Sequence, residues 1–111
     1  MAIQGEHVVG FVFCLLKETG DEAELVALYV RPGQEGRGIG YSLFGAAKAA
    51  LISRHCIAVE LWVAVENHSA QGFYRRQGMD LSGRRKTLQF RGKSVETVGY
   101  RLQWARPSSE A

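Results

Sequence analysis

The chain has 111 residues, 46% of them hydrophobic and 23% charged, with a formal net charge of +3. This length fits one domain, residues 1–111, and the composition is that of a globular protein rather than a disordered or collagen-like one. No apolar run approaches the roughly 18 residues of a membrane span, and the N-terminus lacks the basic and apolar regions of a secretory signal. We therefore expect a cytoplasmic protein with no membrane partner.

Basic residues are concentrated in the second half of the chain, notably at Arg75-Arg76 and Arg84-Arg85-Lys86. Clusters of this kind can bind nucleic acid. Here acidic residues and apolar strand positions interrupt the clusters, and no basic helix face forms. We expect no nucleic acid partner, whereas a moderately basic surface suits a small polyanionic ligand.

The two cysteines, Cys14 and Cys56, lie in or beside apolar runs, and the three histidines are far apart in the chain. Neither set has the spacing of a metal site or of a redox pair. We expect no metal and two reduced, buried thiols.

Turn residues, apolar alternation and helical periodicity predict eight elements in the order β-β-β-α-β-α-β-β. The predicted strands are 1–4, 7–16, 24–30, 57–65, 85–90 and 95–104, and the predicted helices are 41–53 and 67–77. The first helix has apolar residues at helical spacing, among them Leu43, Phe44 and Leu51. The strand at 57–65 is apolar at nearly every position, which is typical of a strand covered on both faces. The order indicates an α+β fold with a mixed sheet.

A glycine-rich loop, Glu35-Gly36-Arg37-Gly38-Ile39-Gly40, joins a predicted strand to the first predicted helix. Such a loop presents unpaired backbone N–H groups at the positive end of a helix, and its glycines let a bulky anion approach closely. A phosphate or pyrophosphate is therefore the expected ligand. The alternative is a strand-to-helix turn that merely needs small residues.

The amino-acid sequence of this loop excludes two well-known types of phosphate-binding loop. A nucleoside triphosphatase loop would end in Gly-Lys-Ser/Thr, whereas Gly40 is followed by Tyr41-Ser42. A dinucleotide-binding loop would need a third glycine where this chain has Tyr41 or Leu43, depending on which glycine begins it. A nucleotide-containing ligand of another kind remains a candidate for this loop.

Two patterns together resemble the GNAT-type N-acetyltransferase superfamily. They are Val30-Arg31-Pro32 with the loop Gly36 to Gly40, and then Asn67, Ala70, Phe73-Tyr74 and Gly78-Met79. The resemblance covers roughly residues 8–104, and the two patterns gain weight from their order. It implies a GNAT-like, mostly antiparallel twisted sheet flanked by helices. It also implies acetyl-CoA as cosubstrate and transfer of its acetyl group to a primary amine by direct attack in a ternary complex.

The resemblance also implies which residues hold acetyl-CoA. The loop would bind the pyrophosphate, the backbone of residues 28–30 would pair with the pantetheine arm, and Asn67 would contact this arm where two strands separate. Phe73 would pack on the cosubstrate, and Tyr74 would lie beside the thioester sulfur. The implied contacts are Leu28, Tyr29, Val30, Glu35, Gly36, Arg37, Gly38, Ile39, Gly40, Asn67, Ala70, Phe73 and Tyr74.

The chemistry of amine attack on a thioester fits these residue types. A backbone N–H near Val30 can stabilise the oxyanion, and the Tyr74 phenol can protonate the leaving thiolate as a general acid. Glu24 is the candidate base, with a solvated strand carboxylate or a water chain as alternatives. Tyr74 itself has the alternative of a core tyrosine. Arg37, Arg75 and Arg76 add charge near the phosphates or are solvated, and His68 and Ser69 contact the cosubstrate or cap the helix.

Two features depart from the family pattern. Glu35 stands where Gln or Arg is usual, and its carboxylate would repel a pyrophosphate unless it points away. The chain also has the short form that lacks the usual N-terminal strand and two helices. We therefore expect a homodimer that covers the exposed surface, an open site for a large acceptor, or a fragment of a longer chain. The acceptor is an amine-bearing small molecule or protein.

These departures also support a second function. The chain would then be a non-catalytic domain that binds CoA or a protein partner, having kept the loop but lost a competent acceptor site.

Overall fold

A computed structural model describes residues 2–4 and 7–105 of the chain. Within them lie the strands β1 (Ala2–Gln4), β2 (His7–Leu16), β3 (Glu22–Val30), β4 (Ala58–Ala64), β5 (Asp80–Phe90) and β6 (Lys93–Gln103). The two helices are α1 (Ile39–Ser53) and α2 (His68–Arg76). Neither of these helices is long and apolar enough to cross a membrane.

The predicted order β-β-β-α-β-α-β-β is confirmed, and so is the α+β class. The predicted ends of several elements were wrong by one or two residues, as α1 and β3 each begin two residues earlier than expected. The larger error concerns β5, which begins at Asp80 rather than at 85. Met1, residues 5–6 between the first two predicted strands, and residues 106–111 lie outside the described residues.

The early start of β5 was missed because its first half is irregular. Leu81 pairs with Tyr100 and Arg85 pairs with Val98, so three residues of β5 face a single residue of β6. Gly83 has a φ of 83° within this bulge. A bulge breaks the alternation from which a strand is predicted.

The strands form one six-stranded sheet in the order β1-β2-β3-β4-β6-β5. Every neighbouring pair is antiparallel except β3 and β4, which are parallel and joined through α1. The mostly antiparallel mixed sheet expected from the sequence is therefore confirmed. At the far edge, Arg91 and Gly92 form the turn between β5 and β6, with φ values of 53° and 77°.

β3 and β4 separate soon after they pair. Their register ends at the pair Glu24–Glu60, although β3 continues to Val30 and β4 to Ala64. The register of β2 against β3 jumps at Phe13/Cys14 and leaves Val26 as an extra residue in β3. A bulge bends the strand that carries it. The sheet consequently opens into a wedge between the ends of β3 and β4.

Both helices pack on one face of the sheet. The core cluster joins Phe44 and Leu51 of α1 to Val59, Leu61 and Val63 of β4, and α2 packs against the same cluster through Ala70, Phe73 and Tyr74. Side chains alternate between the two faces of a strand. The odd-numbered residues of β4 therefore face the helices, and Glu60 and Trp62 face away from them.

The opposite face of the sheet carries no helix among the described residues, and we call it the open face. The open face includes the side chains of Phe11, Phe13, Glu24, Tyr29, Glu60 and Trp62. Phe13 is 49% exposed and Tyr29 is 43% exposed, and the rings of Phe11 and Tyr29 stack with centroids 5.4 Å apart. Exposed aromatic side chains grouped in this way are typical of an interaction surface.

Gly10 of β2 is required for the packing of α1 against the sheet. A Cβ at this position would lie 2.7 Å from the Tyr29 carbonyl oxygen and 3.0 Å from Leu43 Cδ1. We expect Gly10→Ala to lower the free energy of unfolding by about 1–3 kcal/mol, because the backbone or the helix must shift to admit the methyl group. Urea denaturation followed by circular dichroism measures this loss.

Gly45→Ala is the matched control. Gly45 lies inside α1, and a Cβ there would meet nothing within 4 Å. Alanine should stabilise the helix by about 1 kcal/mol relative to glycine. Equal effects of the two substitutions would contradict a packing role for Gly10.

Candidate functional site

A groove of about 840 Å³ lies on the helix-bearing face, where the wedge between β3 and β4 opens. Its walls come from the end of β3, the loop before α1, the first turn of α1 and one side of α2. Eleven of the residues implied to bind the cosubstrate line it: Leu28, Val30, Glu35, Gly36, Gly38, Ile39, Gly40, Asn67, Ala70, Phe73 and Tyr74. Segments far apart in the sequence therefore meet at one site.

The loop ends at the N-terminus of α1 without a capping side chain. Gly38 is the N-cap residue, with φ 77° and no side chain to accept a hydrogen bond, and the first helical bond runs from the Ser42 N–H to the Gly38 carbonyl oxygen. The N–H groups of the first turn have no partner inside an α-helix, and the helix dipole makes this end positive. A Cβ at Gly36 or Gly38 would meet nothing, so glycine is needed there for its positive φ. This end of the groove can hold an anion.

The Glu35 carboxylate is held by its own turn. Its Oε1 accepts a hydrogen bond from the Gly33 N–H at 2.8 Å. This bond directs one carboxylate oxygen toward the turn at Gly33, yet Glu35 still lines the groove. Its negative charge therefore remains beside the end of the groove that can hold an anion.

The third loop glycine, Gly40, is needed for close packing between the two helices. A Cβ on Gly40 would lie 3.2 Å from Cε1 of Phe73 and 3.3 Å from its Cζ. The missing side chain lets the first turn of α1 pack directly against α2. This contact brings the anion-binding end of the groove and the aromatic residues of α2 together.

Two polar side chains fix the position of α2. Asn67 caps the helix, because its Oδ1 accepts a hydrogen bond from the Ala70 N–H at 3.1 Å. Gln71 is buried, donates to the Val65 carbonyl oxygen at 2.8 Å, and accepts from the Tyr100 hydroxyl at 2.8 Å. These bonds tie α2 to the end of β4 and to β6, so that Asn67 and Tyr74 face the groove.

Tyr74 is half-buried at the wall of the groove. Its ring meets that of Phe73 edge-on, with centroids 5.3 Å apart, and it packs against the core cluster. Burial raises the pKa of the Tyr74 phenol above its usual value. A raised pKa keeps the proton on the hydroxyl at neutral pH, which suits a group that must donate a proton. The core role and the catalytic role are thus compatible.

The edge of β3 that faces the groove is open. Between Leu25 and Val30 no described residue of β4 pairs with β3, whereas the other edge is bonded to β2. Backbone N–H and C=O groups along an open edge can bind an extended chain as an added strand. Leu28 and Val30 line the groove beside this edge.

Five of the implied or candidate residues do not line the groove: Tyr29, Arg37, Glu24, Arg75 and His68. The Tyr29 side chain lies on the open face against Phe11, and its backbone pairs with Phe11 of β2. Arg37 is exposed. Glu24 lies on the open face at the last β3–β4 pair, so its carboxylate is on the opposite side of the sheet from the groove.

Some lining residues were not predicted to bind. Tyr41, Gln34 and Gln77 line the groove, together with Ser69 and Arg76, for which a cap or a solvated role was the alternative. Gln77 lies one helical turn beyond Phe73, so helical spacing could have indicated it. Gln34 has no such signal, and its buried Oε1 accepts no hydrogen bond from the described residues.

Metal ligation finds no support in the part of the chain that the structure describes, where no cluster of His, Cys, Asp or Glu could hold an ion. Cys56 is buried, as expected, and Cys14 is half-buried. Burial raises the pKa of both thiols, which keeps them protonated.

The model of the acetyltransferase (GNAT) family matches residues 1–79. This match spans most of the chain and includes the loop, α1 and α2. The chain therefore belongs to the GNAT family of acetyltransferases.

Individual relatives agree with this membership. An uncharacterized N-acetyltransferase of Methanocaldococcus jannaschii is 40% identical over 77 residues, which are 65% of this chain and 34% of that protein. A putative [ribosomal protein bS18]-alanine N-acetyltransferase of Bacillus subtilis is 31% identical over 80 residues, which are 72% of this chain and 52% of that protein. The chain thus spans about half, or less, of the length of these relatives.

The fold agrees with that of solved acetyltransferases. The crystal structure of the ribosomal-protein-S18-alanine N-acetyltransferase from Escherichia coli superposes with a TM-score of 0.80 at 20% identity, covering 98% of this chain and 70% of that one. At this identity the likeness concerns the fold.

Asn67→Asp separates the capping role of Asn67 from its expected contact with acetyl-CoA. Aspartate keeps the acceptor for the Ala70 N–H, so the free energy of unfolding should change by less than about 0.5 kcal/mol. It loses the amide donor and adds a negative charge to the groove that would bind a polyanionic cosubstrate, so acetyl-CoA affinity should fall about tenfold. Thermal unfolding and calorimetric titration measure the two effects.

Asn67→Ala is the companion variant, and it should lower the free energy of unfolding by about 1 kcal/mol because the cap is lost. Unchanged acetyl-CoA affinity in Asn67→Asp would limit Asn67 to its capping role.

Proposed function

We propose that this chain is the catalytic domain of an N-acetyltransferase that transfers an acetyl group from acetyl-CoA to a primary amine. The observation that carries the proposal is the groove itself. It begins at the uncapped N-terminus of α1, follows the open edge of β3 and reaches Tyr74 on α2. Such a groove fits an extended ligand with a pyrophosphate at one end and a reactive group at the other.

The residues present fit acetyl-CoA segment by segment. N–H groups from Gly36 to Tyr41 would bind the pyrophosphate, and the edge of β3 from Leu28 to Val30 would bind the amides of the pantetheine arm. Phe73 and Ala70 form an apolar wall beside this edge. When bound, the cosubstrate supplies an acetyl thioester.

The reaction requires stabilisation of negative charge in two places. A backbone N–H on the open edge of β3 near Val30 would bind the oxyanion. The Tyr74 hydroxyl, kept protonated by burial, would protonate the leaving thiolate. Both groups lie along the same groove, which favours direct attack in a ternary complex.

The acceptor amine would reach the thioester from the open face, since both helices cover the other face. Glu24 lies on that side and remains the candidate base, with a water chain as the alternative. The name of the Bacillus subtilis relative specifies an alanine of ribosomal protein bS18. The amino terminus of a polypeptide is therefore the first acceptor class to test.

The cytoplasmic location, the homodimer and the lack of a nucleic acid partner stay predictions. The second function, a non-catalytic domain that binds CoA or a protein partner, differs from the first in one measurable respect. It predicts binding of acetyl-CoA without turnover across a broad panel of amines.

Gly38→Asp tests the cosubstrate site. The substitution places a side chain at a φ of 77° and a carboxylate at the helix N-terminus where the pyrophosphate would bind. We expect calorimetric titration with acetyl-CoA to show micromolar affinity for the unmodified protein and a loss of at least about 100-fold in the variant, because the repulsive charge adds to the lost backbone contacts.

Gly20→Asp is the control, because Gly20 has a φ of 79°, nothing within 4 Å of its Cβ position and a location in the turn before β3. It carries the same strain and the same charge away from the groove. Equal losses in both variants, or no binding by the unmodified protein, would contradict the proposed site.

Tyr74→Phe tests the general acid. Removal of the hydroxyl should lower kcat by roughly 10²–10³-fold, the usual contribution of a positioned acid, with little change in acetyl-CoA affinity. Because the pKa of Tyr74 is raised, activity of the unmodified protein should persist to high pH and fall only as the phenol ionises. The variant should lack this alkaline decline. Steady-state kinetics over a pH series measures both effects.

Tyr41→Phe provides a matched control, since Tyr41 is an exposed tyrosine at the other end of the same groove. We expect its kcat to stay within about twofold of the unmodified protein. A Tyr74→Phe enzyme with unchanged kcat would remove Tyr74 from the mechanism.

A further inference from the structure

The acceptor must approach from the open face, because α1, α2 and the groove occupy the other side of the sheet. We build on the proposed function in taking the wedge between β3 and β4 as the point of reaction. One side of the wedge on the open face is formed by the exposed rings of Phe11, Phe13 and Tyr29. The other side begins with Trp62 of β4.

Two cations from β5 lie over the Trp62 ring. Lys86 Nζ is 4.2 Å from the ring centroid, and the Arg84 guanidinium carbon is 5.4 Å from it. To reach Trp62, these side chains cross β6, which lies between β5 and β4. A cation this close to an indole ring is attracted by the negative face of the ring.

The side chains of Arg84 and Lys86 can cross β6 because the residue at position 99 of β6 is glycine. Gly99 is the register partner of Trp62, and a Cβ on it would lie 2.5 Å from Ser82 Oγ and 3.4 Å from an atom of the Trp62 ring. The β5 bulge at Ser82 and the Trp62 ring both use the space that a side chain would fill. The arrangement of Trp62, Arg84 and Lys86 therefore depends on how β4, β5 and β6 pack together.

The two cations differ in their partners. Arg84 donates to Glu60 at 3.2 Å, and Glu60 is also bound by Lys17 and lies 3.7 Å from Arg101. Arg101 binds Glu22 as well, at 2.8 Å, so two carboxylates face three cations in this cluster. Among the described residues, Lys86 takes part in no ion pair. The surface beside Trp62 therefore has an excess of positive charge.

Glu24 supplies the opposite charge near the wedge. It is the register partner of Glu60 and lies on the open face, yet no described cation forms an ion pair with it. The open face thus places an unpaired carboxylate at the base of the wedge and an unpaired ammonium group beside it, over Trp62. An ammonium ion is attracted to the first and an anion to the second.

We propose that the open face selects acceptors with a carboxylate close to the reacting amine, and that Lys86 on Trp62 binds this carboxylate. Glu24 attracts the ammonium form of the amine. The exposed rings of Phe11, Phe13 and Tyr29 give apolar contact to the rest of the acceptor. The cation–π contact holds Lys86 in place before the acceptor arrives, so less side-chain freedom is lost on binding.

Equilibrium binding of three peptides tests this selection without requiring turnover. The probes are Ala-Glu-Gly-Tyr, Ala-Gln-Gly-Tyr and Ala-Lys-Gly-Tyr as C-terminal amides, each titrated calorimetrically into the protein with CoA present. We expect the Glu peptide to bind about fivefold more tightly than the Gln peptide and the Lys peptide to bind most weakly, because an exposed ion pair is worth up to about this factor. The preference should shrink as salt is raised.

Variants assign the preference to Lys86. Lys86→Gln should abolish the difference between the Glu and Gln peptides, Lys86→Glu should favour the Lys peptide, and Lys86→Arg should retain the original order. Lys93→Gln is the control, since Lys93 belongs to the same hairpin but lies over no tryptophan. Equal affinities for the three peptides, or an unchanged preference in Lys86→Gln, would overturn the proposal.

Two further probes identify the source of the carboxylate. If the site binds the α-carboxylate of a free amino acid, alanine should bind more tightly than alaninamide. If the Glu peptide is preferred but alanine and alaninamide bind equally, the site binds an acidic side chain of a polypeptide. Acetylation assays with the same peptides test the proposed function separately. If the protein binds the peptides selectively but acetylates none of them, the proposed catalytic function is contradicted and the proposed acceptor selectivity is still supported.

Discussion

Three residue pairs join β3 to β4, and beyond the pair Glu24–Glu60 the two strands part. The groove, the open edge of β3 and the access from the open face all follow from this separation. A parallel pair that continued to Val30 would have placed Ala64 beside the edge that a ligand needs. The extra residue Val26 bends β3 away at the same point, so the wedge is a feature of strand geometry and does not depend on loops.

A separated pair of strands must be held together at its base, and the cluster around Glu60 does this. Glu60 is buried, and a buried carboxylate is costly unless cations compensate it. Its partners come from the turn that follows β2, from β5 and from β6, and hence from both sides of the wedge. The Arg101 hydrogen bond lowers the pKa of Glu22 and keeps that carboxylate charged. Charges therefore fix the closed end of the wedge, while apolar packing holds both helices and the hydrogen bonds of Asn67 and Gln71 add to it for α2.

The glycine-rich loop and the Asn67 to Met79 pattern could be predicted from the sequence because local backbone geometry dictates their residues. The φ of Gly38 and the cap by Asn67 are of this kind. The role of Glu60 could not be predicted, since Lys17 lies 43 residues away in the chain and the run around Glu60 is apolar. The side-chain direction of Tyr29 and the start of β5 also depend on bulges, which leave little trace in the hydrophobic pattern.

The open edge of β3 has a consequence for the free protein. It is a sheet edge inside the domain, and unsatisfied edges invite pairing with other chains and aggregation. The extended arm of the proposed cosubstrate would complete the sheet as a temporary seventh strand beside the six that the structure describes. Amide hydrogens on this edge should then exchange rapidly with deuterium in the free protein and slowly in the complex. The ligand would act as a folding partner as well as a reactant, stabilising the native state by a free energy that grows with the logarithm of its concentration above Kd.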